Sequence, residues 1–188
     1  GKAALDADIA AIAGQLKRLQ EAGVPVLWRP LHEASGGWFW WGAKGAEPFK
    51  QLWIYLFNEL TYTYGCNNLI WIWNARYTDW YPGDAYVDVI GEDVYADPHD
   101  YNAQSSLFHE VMAVPESPKL LALTEVGVVP DIDQIIATNA RWLWFNTWGG
   151  DYVYSKAKYS DKYTEAELLK KVYDSEFVIT LDELPDFK

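Results

Sequence analysis

Cysteine, basic residues and long apolar runs are what this chain has least of. Cys66 is its single cysteine, so no disulfide can close within the sequence and no thiolate cluster can hold a metal. Lys and Arg number 15 against 27 Asp and Glu, a formal net charge of −12. Phosphate-rich surfaces would repel such a chain over a Debye length, which excludes nucleic acid and anionic membrane as natural partners. No segment reaches the roughly 20 consecutive apolar residues of a membrane span. The opening Gly1-Lys2-Ala3-Ala4-Leu5-Asp6 has no signal-peptide apolar region, no glycine-rich phosphate fingerprint follows any apolar run, and no Ser/Pro linker or internal repeat divides the chain. One domain is therefore expected over residues 1–188.

Aromatic residues are abundant instead. Eleven Trp and thirteen Tyr in 188 residues exceed what a core of this size needs, and flat apolar rings on an acidic surface suit neutral polyhydroxylated ligands. Carbohydrate is the ligand class that composition favours.

Helical and extended patterns alternate along the chain. Leu5, Ile9, Ile12, Leu16 and Leu19 recur at helical spacing, and a helix is expected over 6–23 with Gly23 as its stop. A second helical pattern runs over 48–64 between Pro48 and Gly65. Shorter helices are expected over 105–113 and 132–140, and a closing one over 164–173 opens with the capping pattern Thr164-Glu165-Ala166-Glu167. Apolar runs over 24–31, 68–74, 87–95, 119–124 and 142–148 read as strands. Strands separated by crossover helices pair in parallel. The pattern matches most of an eight-stranded α/β barrel, although 188 residues fall short of the roughly 250 that such a barrel takes. An open doubly wound sheet is the alternative.

The chemistry gathers where the runs end. Arg29-Pro30-Leu31-His32-Glu33 closes the first strand and leads into Gly37-Trp38-Phe39-Trp40-Trp41-Gly42; Glu125 closes the fourth. A barrel collects the C-terminal ends of its strands at one face. Two carboxyl groups there meet the requirement of retaining glycoside hydrolysis, in which one protonates the leaving oxygen and the other attacks the anomeric carbon from about 5–5.5 Å away. One must be protonated while the other is ionised. His32 and Tyr95 are placed to hydrogen-bond such a pair. With 27 acidic residues in the chain, solvated caps at two strand ends account for the same spacing.

The two segments just quoted, together with Trp71-Ile72-Trp73-Asn74, Gly91-Glu92-Asp93-Val94-Tyr95, Leu123-Thr124-Glu125-Val126-Gly127 and Asn146-Thr147-Trp148, closely resemble glycoside hydrolase family 26, best known for endo-β-1,4-mannanases. The resemblance implies a (β/α)8 TIM barrel of which this chain supplies about strands 4–8, the C-terminal part of one catalytic domain. It implies Glu33 as acid/base and Glu125 as nucleophile. Among substrate-site residues it implies His32 as the histidine beside the acid/base, Tyr95 as the tyrosine that hydrogen-bonds the nucleophile, and Trp38 and Trp148 as lining the sugar subsite, with Trp73, Asn74 and Asp93 as candidates to line it. Arg29 is expected beneath Glu33 as a charge partner. Gly149 stands where some members carry a substrate-contacting arginine. No cofactor and no metal is implied.

The expected activity is hydrolysis of internal bonds in mannan or glucomannan outside the cell. A β-1,3-1,4-glucanase or β-1,3-xylanase of the same family, and a non-catalytic polysaccharide-binding half-barrel, remain open. The barrel's first three strands have no counterpart in the sequence, so an N-terminal half-barrel segment or a second chain is the expected partner, and activity is expected to depend on it.

Overall fold

The computed structural model describes residues 1–156 and 158–186. By internal packing the chain falls into two compact units, Gly1–Gly91 with Val111–Leu120, and Glu92–Glu110 with the chain from Leu121 onward.

In the first unit, α1 (Lys2–Glu21) buries Ile9, Ala13 and Leu16; of the expected stripe, Ile12 and Leu19 stay exposed. Gly23, at φ 72°, turns the chain out of the helix in a left-handed conformation. β1 (Val26–Trp28) is shorter than the apolar run suggests. Pro25 and Pro30 bracket it and offer no N–H to a ladder. α2 (Ala46–Asn58) continues into a π turn, Glu59–Thr63, where a single α-helix to Tyr64 was expected. β2 (Leu69–Trp73) lies parallel to β1, with Val26 opposite Leu69 and Trp28 opposite Trp71. β3 (Val89–Val94) is parallel to β2, with Ile72 opposite Val89. Trp53 of α2 is fully buried and sets its ring edge-on to Trp71 at 5.7 Å. Phe57 packs on the same Trp71 ring at 4.9 Å. This face of β2 is therefore the face that α2 covers.

The second unit takes the end of β3, most of α3 (Ser105–Met112) and the strand β4 (Leu120–Val126). α4 (Ile132–Thr138) begins at Asp131, whose carboxylate accepts from the Asp133 N–H, and ends at Asn139 in a left-handed conformation. β5 (Phe145–Thr147) is parallel to β4, with Leu123 opposite Phe145 and Val126 opposite Thr147. The register shifts between those pairs. A short antiparallel hairpin, β6 (Tyr154–Ser155) and β7 (Lys158–Tyr159), was not foreseen. α5 (Ala166–Tyr173) starts without the expected capping box. The Thr164 hydroxyl accepts instead from the Val129 N–H at 3.0 Å, and Asp161 takes the helix's first donor, the Ala166 N–H, at 2.8 Å.

Among the described residues the main sheet runs in the order β1-β2-β3-β4-β5. Strands that neighbour one another in chain order, linked by α2, α3 and α4 and, between β2 and β3, by two short 3-10 turns, follow the topology of a barrel rather than a doubly wound sheet, whose order reverses at a switch point. No helix of the described residues is long and apolar enough to cross a membrane.

Candidate active site

The Glu33 side of the site is built on a backbone turn. Pro30 ends the β1 ladder, and Leu31 and Glu33 then take left-handed conformations at φ 53° and 51°. Such angles are uncommon outside glycine and persist only where the surroundings fix them. Asn74, one residue past β2 and 5% exposed, does much of this. The Glu33 N–H lies 2.8 Å from the Asn74 backbone oxygen and 2.8 Å from its Oδ1. Arg29 Nη1 donates to the same Oδ1 at 3.3 Å, and Asn74 Nδ2 donates to the Gly91 carbonyl at 2.9 Å.

His32 is held from the other direction. Its ring centroid is 4.9 Å from Phe39 and 5.8 Å from Trp41, and Trp41 Nε1 donates to the His32 carbonyl at 2.8 Å. Phe39 and Trp41 stack nearly parallel at 4.4 Å and 16°. Alternation along this loop leaves Trp38 and Trp40 each 66% exposed. The Trp38 ring lies against Gly36 so closely that a Cβ there would overlap it.

Glu125 is set in β4, where its side chain is 4% exposed. Tyr95, just past β3, donates from its hydroxyl to Glu125 Oε2 at 2.6 Å. The Tyr95 ring meets Tyr152 edge-on at 5.5 Å, and both rings crowd Gly127, where a Cβ would sit 2.8 Å from Tyr152 and 3.1 Å from Tyr95. Asp93 accepts from the Thr124 hydroxyl at 2.6 Å. Trp148 follows β5 with half its surface exposed, and its N–H donates to the Val126 carbonyl at 3.0 Å. A buried carboxylate with a short phenolic hydrogen bond is a fixed, oriented nucleophile or base.

The model of glycosyl hydrolase family 26 matches residues 1–183. The chain belongs to glycosyl hydrolase family 26. It is 48% identical over 177 residues to a mannan endo-1,4-beta-mannosidase of Thermothelomyces thermophilus, an alignment covering 94% of this chain and 35% of that protein. Among solved structures, the Podospora anserina GH26-CBM35 beta-(1,4)-mannanase superimposes with a TM-score of 0.86 at 49% identity, over 95% of this chain and 39% of that one. A beta-mannanase from a symbiotic protist of the termite Reticulitermes speratus, complexed with gluco-manno-oligosaccharide, gives 0.89 at 43% identity, over 98% and 56%. The chain thus spans about a third of the length of the first of these relatives, and its fold is part of the family's TIM barrel.

Most of the residues singled out in the sequence stand in or beside these two groups. Glu33, His32, Trp38 and Asn74 belong to the first; Glu125, Tyr95, Asp93 and Trp148 to the second. Two readings need correction. Trp73 is fully buried, edge-on to Tyr81 at 5.1 Å, and is core rather than sugar-lining. Strand periodicity puts it on the Trp71 face that α2 covers. Glu125 lies inside β4, one residue short of its end, because pairing with β5 continues through Val126. Tyr152 was not singled out in the sequence, and Thr124 and Gly127 entered only as parts of the 123–127 motif, without roles of their own. Of these only Gly127 carried a signal, a glycine two positions after a strand-end carboxylate.

Proposed function

We propose that this family 26 chain carries the catalytic pair of a retaining endo-β-1,4-mannanase. Glu33 is its acid/base and Glu125 its nucleophile. The observation that carries the reading is the Tyr95 hydrogen bond of 2.6 Å to Glu125 Oε2, which orients a buried carboxylate. Glu33, half-buried on a fixed turn and followed by exposed Trp38, has the setting of a proton donor at the edge of an aromatic platform.

In the first step the Glu33 carboxyl gives its proton to the glycosidic oxygen. The bond from that oxygen to the anomeric carbon breaks as a Glu125 oxygen bonds to the carbon, forming a glycosyl ester and releasing the shortened chain as an alcohol. In the second, water attacks the anomeric carbon while Glu33, now a carboxylate, takes its proton. The ester bond breaks and Glu125 is regenerated as an anion. Tyr95 and Arg29 contribute orientation throughout, and Trp38 and Trp148 offer the apolar faces on which pyranose rings stack.

Mannan or glucomannan is the proposed substrate, supported by the names of the relatives at 48% and 37% identity, both mannan endo-1,4-beta-mannosidases. Such polymers are met outside the cell, where we place the protein. The strands that complete the barrel are supplied by an N-terminal segment or a second chain. The test is hydrolysis of mannan, β-1,3-1,4-glucan and β-1,3-xylan by the completed protein beside Glu33→Ala and Glu125→Ala. Mannan cleavage lost in both variants is expected; preference for another polymer, or activity surviving Glu125→Ala, would overturn the reading.

A further inference from the structure

We infer that Asn74 is a positioning residue for proton transfer, one that sets the direction of the Glu33 carboxyl without touching substrate. The inference rests on Glu33 being the acid/base.

Asn74 is buried, so sugar contact is not its work. Its side-chain contacts include three that tie separate segments together. Oδ1 accepts from the Glu33 N–H at 2.8 Å and from Arg29 Nη1 at 3.3 Å, while Nδ2 donates to the Gly91 carbonyl at 2.9 Å. One planar amide therefore ties the end of β1, through Arg29, and the Glu33 turn to β3. The amide plane is fixed by its donor, so Oδ1 cannot swing away from Glu33.

The Glu33 backbone needs that anchor. At φ 51° a residue with a Cβ sits in a sparsely populated region, and Leu31, two residues earlier, does so as well. An unanchored turn of this kind relaxes toward extended or right-handed backbone, and either rotation redirects the Cα–Cβ bond of Glu33. Proton transfer to a leaving oxygen requires hydrogen-bond reach of about 2.6–3.2 Å, and a misplacement of about 1 Å costs on the order of a hundredfold in rate. The Asn74 backbone carbonyl also faces the Glu33 N–H. The side chain adds the link to Arg29 and Gly91 that fixes where that carbonyl stands.

A positioning role is separated from a merely structural one by leaving-group dependence. In the completed protein, kcat/KM reports the glycosylation step. It is compared for a manno-oligosaccharide, whose departing hydroxyl must be protonated, and for a dinitrophenyl β-mannobioside, whose leaving group departs without a proton. Asn74→Ala is expected to lower the first by about 10- to 100-fold and the second by less than threefold. Asn74→Asp keeps an accepting oxygen toward Glu33 and Arg29 but gives up the donation to Gly91, and is expected to recover part of the loss; it also carries the test if Asn74→Ala does not fold. Equal losses on both substrates, or an Asp variant as impaired on the oligosaccharide as the Ala variant, would overturn the inference. Glu33→Ala serves as the reference. If it spares the dinitrophenyl substrate and Asn74→Ala does not, the positioning role fails alone; if Glu33→Ala loses both substrates equally, the acid assignment fails and takes the inference with it.

Discussion

The Tyr95 hydroxyl donates to Glu125 Oε2 at 2.6 Å, and Tyr95 is exposed while Glu125 is buried. A hydrogen bond to a charged group contributes about 1.5–3 kcal/mol, and here it also holds the orientation of the carboxylate. Tyr95→Phe keeps the ring and removes the donor. Its kcat on mannan is expected to fall about 10- to 100-fold with KM and melting temperature little changed. A variant that loses melting temperature in proportion to activity would show the bond to be structural.

Gly127 tests the same contact without altering either partner. A Cβ there would stand 2.8 Å from Tyr152 and 3.1 Å from Tyr95. Tyr152 meets Tyr95 edge-on and is backed by the tilted Tyr163 ring at 4.2 Å, so the exposed Tyr95 ring is the one with room to move. Gly127→Ala is expected to push Tyr95 away from Glu125, lowering kcat as Tyr95→Phe does. The double variant should be no slower than the worse single one, because both remove one interaction. Additive losses in the double variant would refute the shared cause.

The order of helices and strands was legible because period and punctuation agree: the Leu5-to-Leu19 stripe, Gly23, and Pro48 just inside α2. Glu33 and Glu125 stand out as candidates because each closes an apolar run of the sequence, although β4 itself continues past Glu125 to Val126. What could not be read was which face of a strand a helix would cover. Trp71 and Trp73 share a face in any strand, and only the packing of Trp53 and Phe57 on Trp71 shows that face to be the covered one. That same alternation turns Asn74 to the opposite side. The missing capping box at Thr164 has a similar origin. A threonine three residues before Glu167 is equally able to accept from a distant N–H, and Val129 supplies one. Local pattern names the capable residue; tertiary neighbours choose its partner.

Gly36 and Gly42 border the aromatic loop and should respond differently to the same change. A Cβ on Gly36 would overlap the exposed Trp38 ring, and a Cβ on Gly42 would overlap the Ala34 carbonyl. A side-chain ring can rotate out; backbone beside Glu33 cannot. Gly36→Ala is expected to weaken manno-oligosaccharide binding by displacing Trp38, with stability nearly unchanged. Gly42→Ala is expected to destabilise the fold by about 1–3 kcal/mol or more. Calorimetric binding and thermal melting of both variants check this, and equal melting losses would show the loop backbone to yield more than its packing suggests.

Asp84 gives the fold a dependence on acid that is separate from the site. Its carboxylate accepts from the Ser117 hydroxyl, from the Ser117 N–H at 2.7 Å, from the Glu116 N–H at 3.2 Å and from the Tyr81 hydroxyl at 2.9 Å. The Ser117 hydroxyl leads in holding its pKa down, to about 2. A carboxyl depressed in the folded state stabilises fully above its unfolded value of about 3.9 and loses that contribution as pH falls through the folded value. Asp84→Asn removes the titrating charge. The gap in melting temperature between parent and variant is therefore expected to be widest above about pH 4 and to close between about pH 4 and 2. A gap that keeps its size through that window would mean that Asp84 holds the 116–117 loop by shape and not by charge.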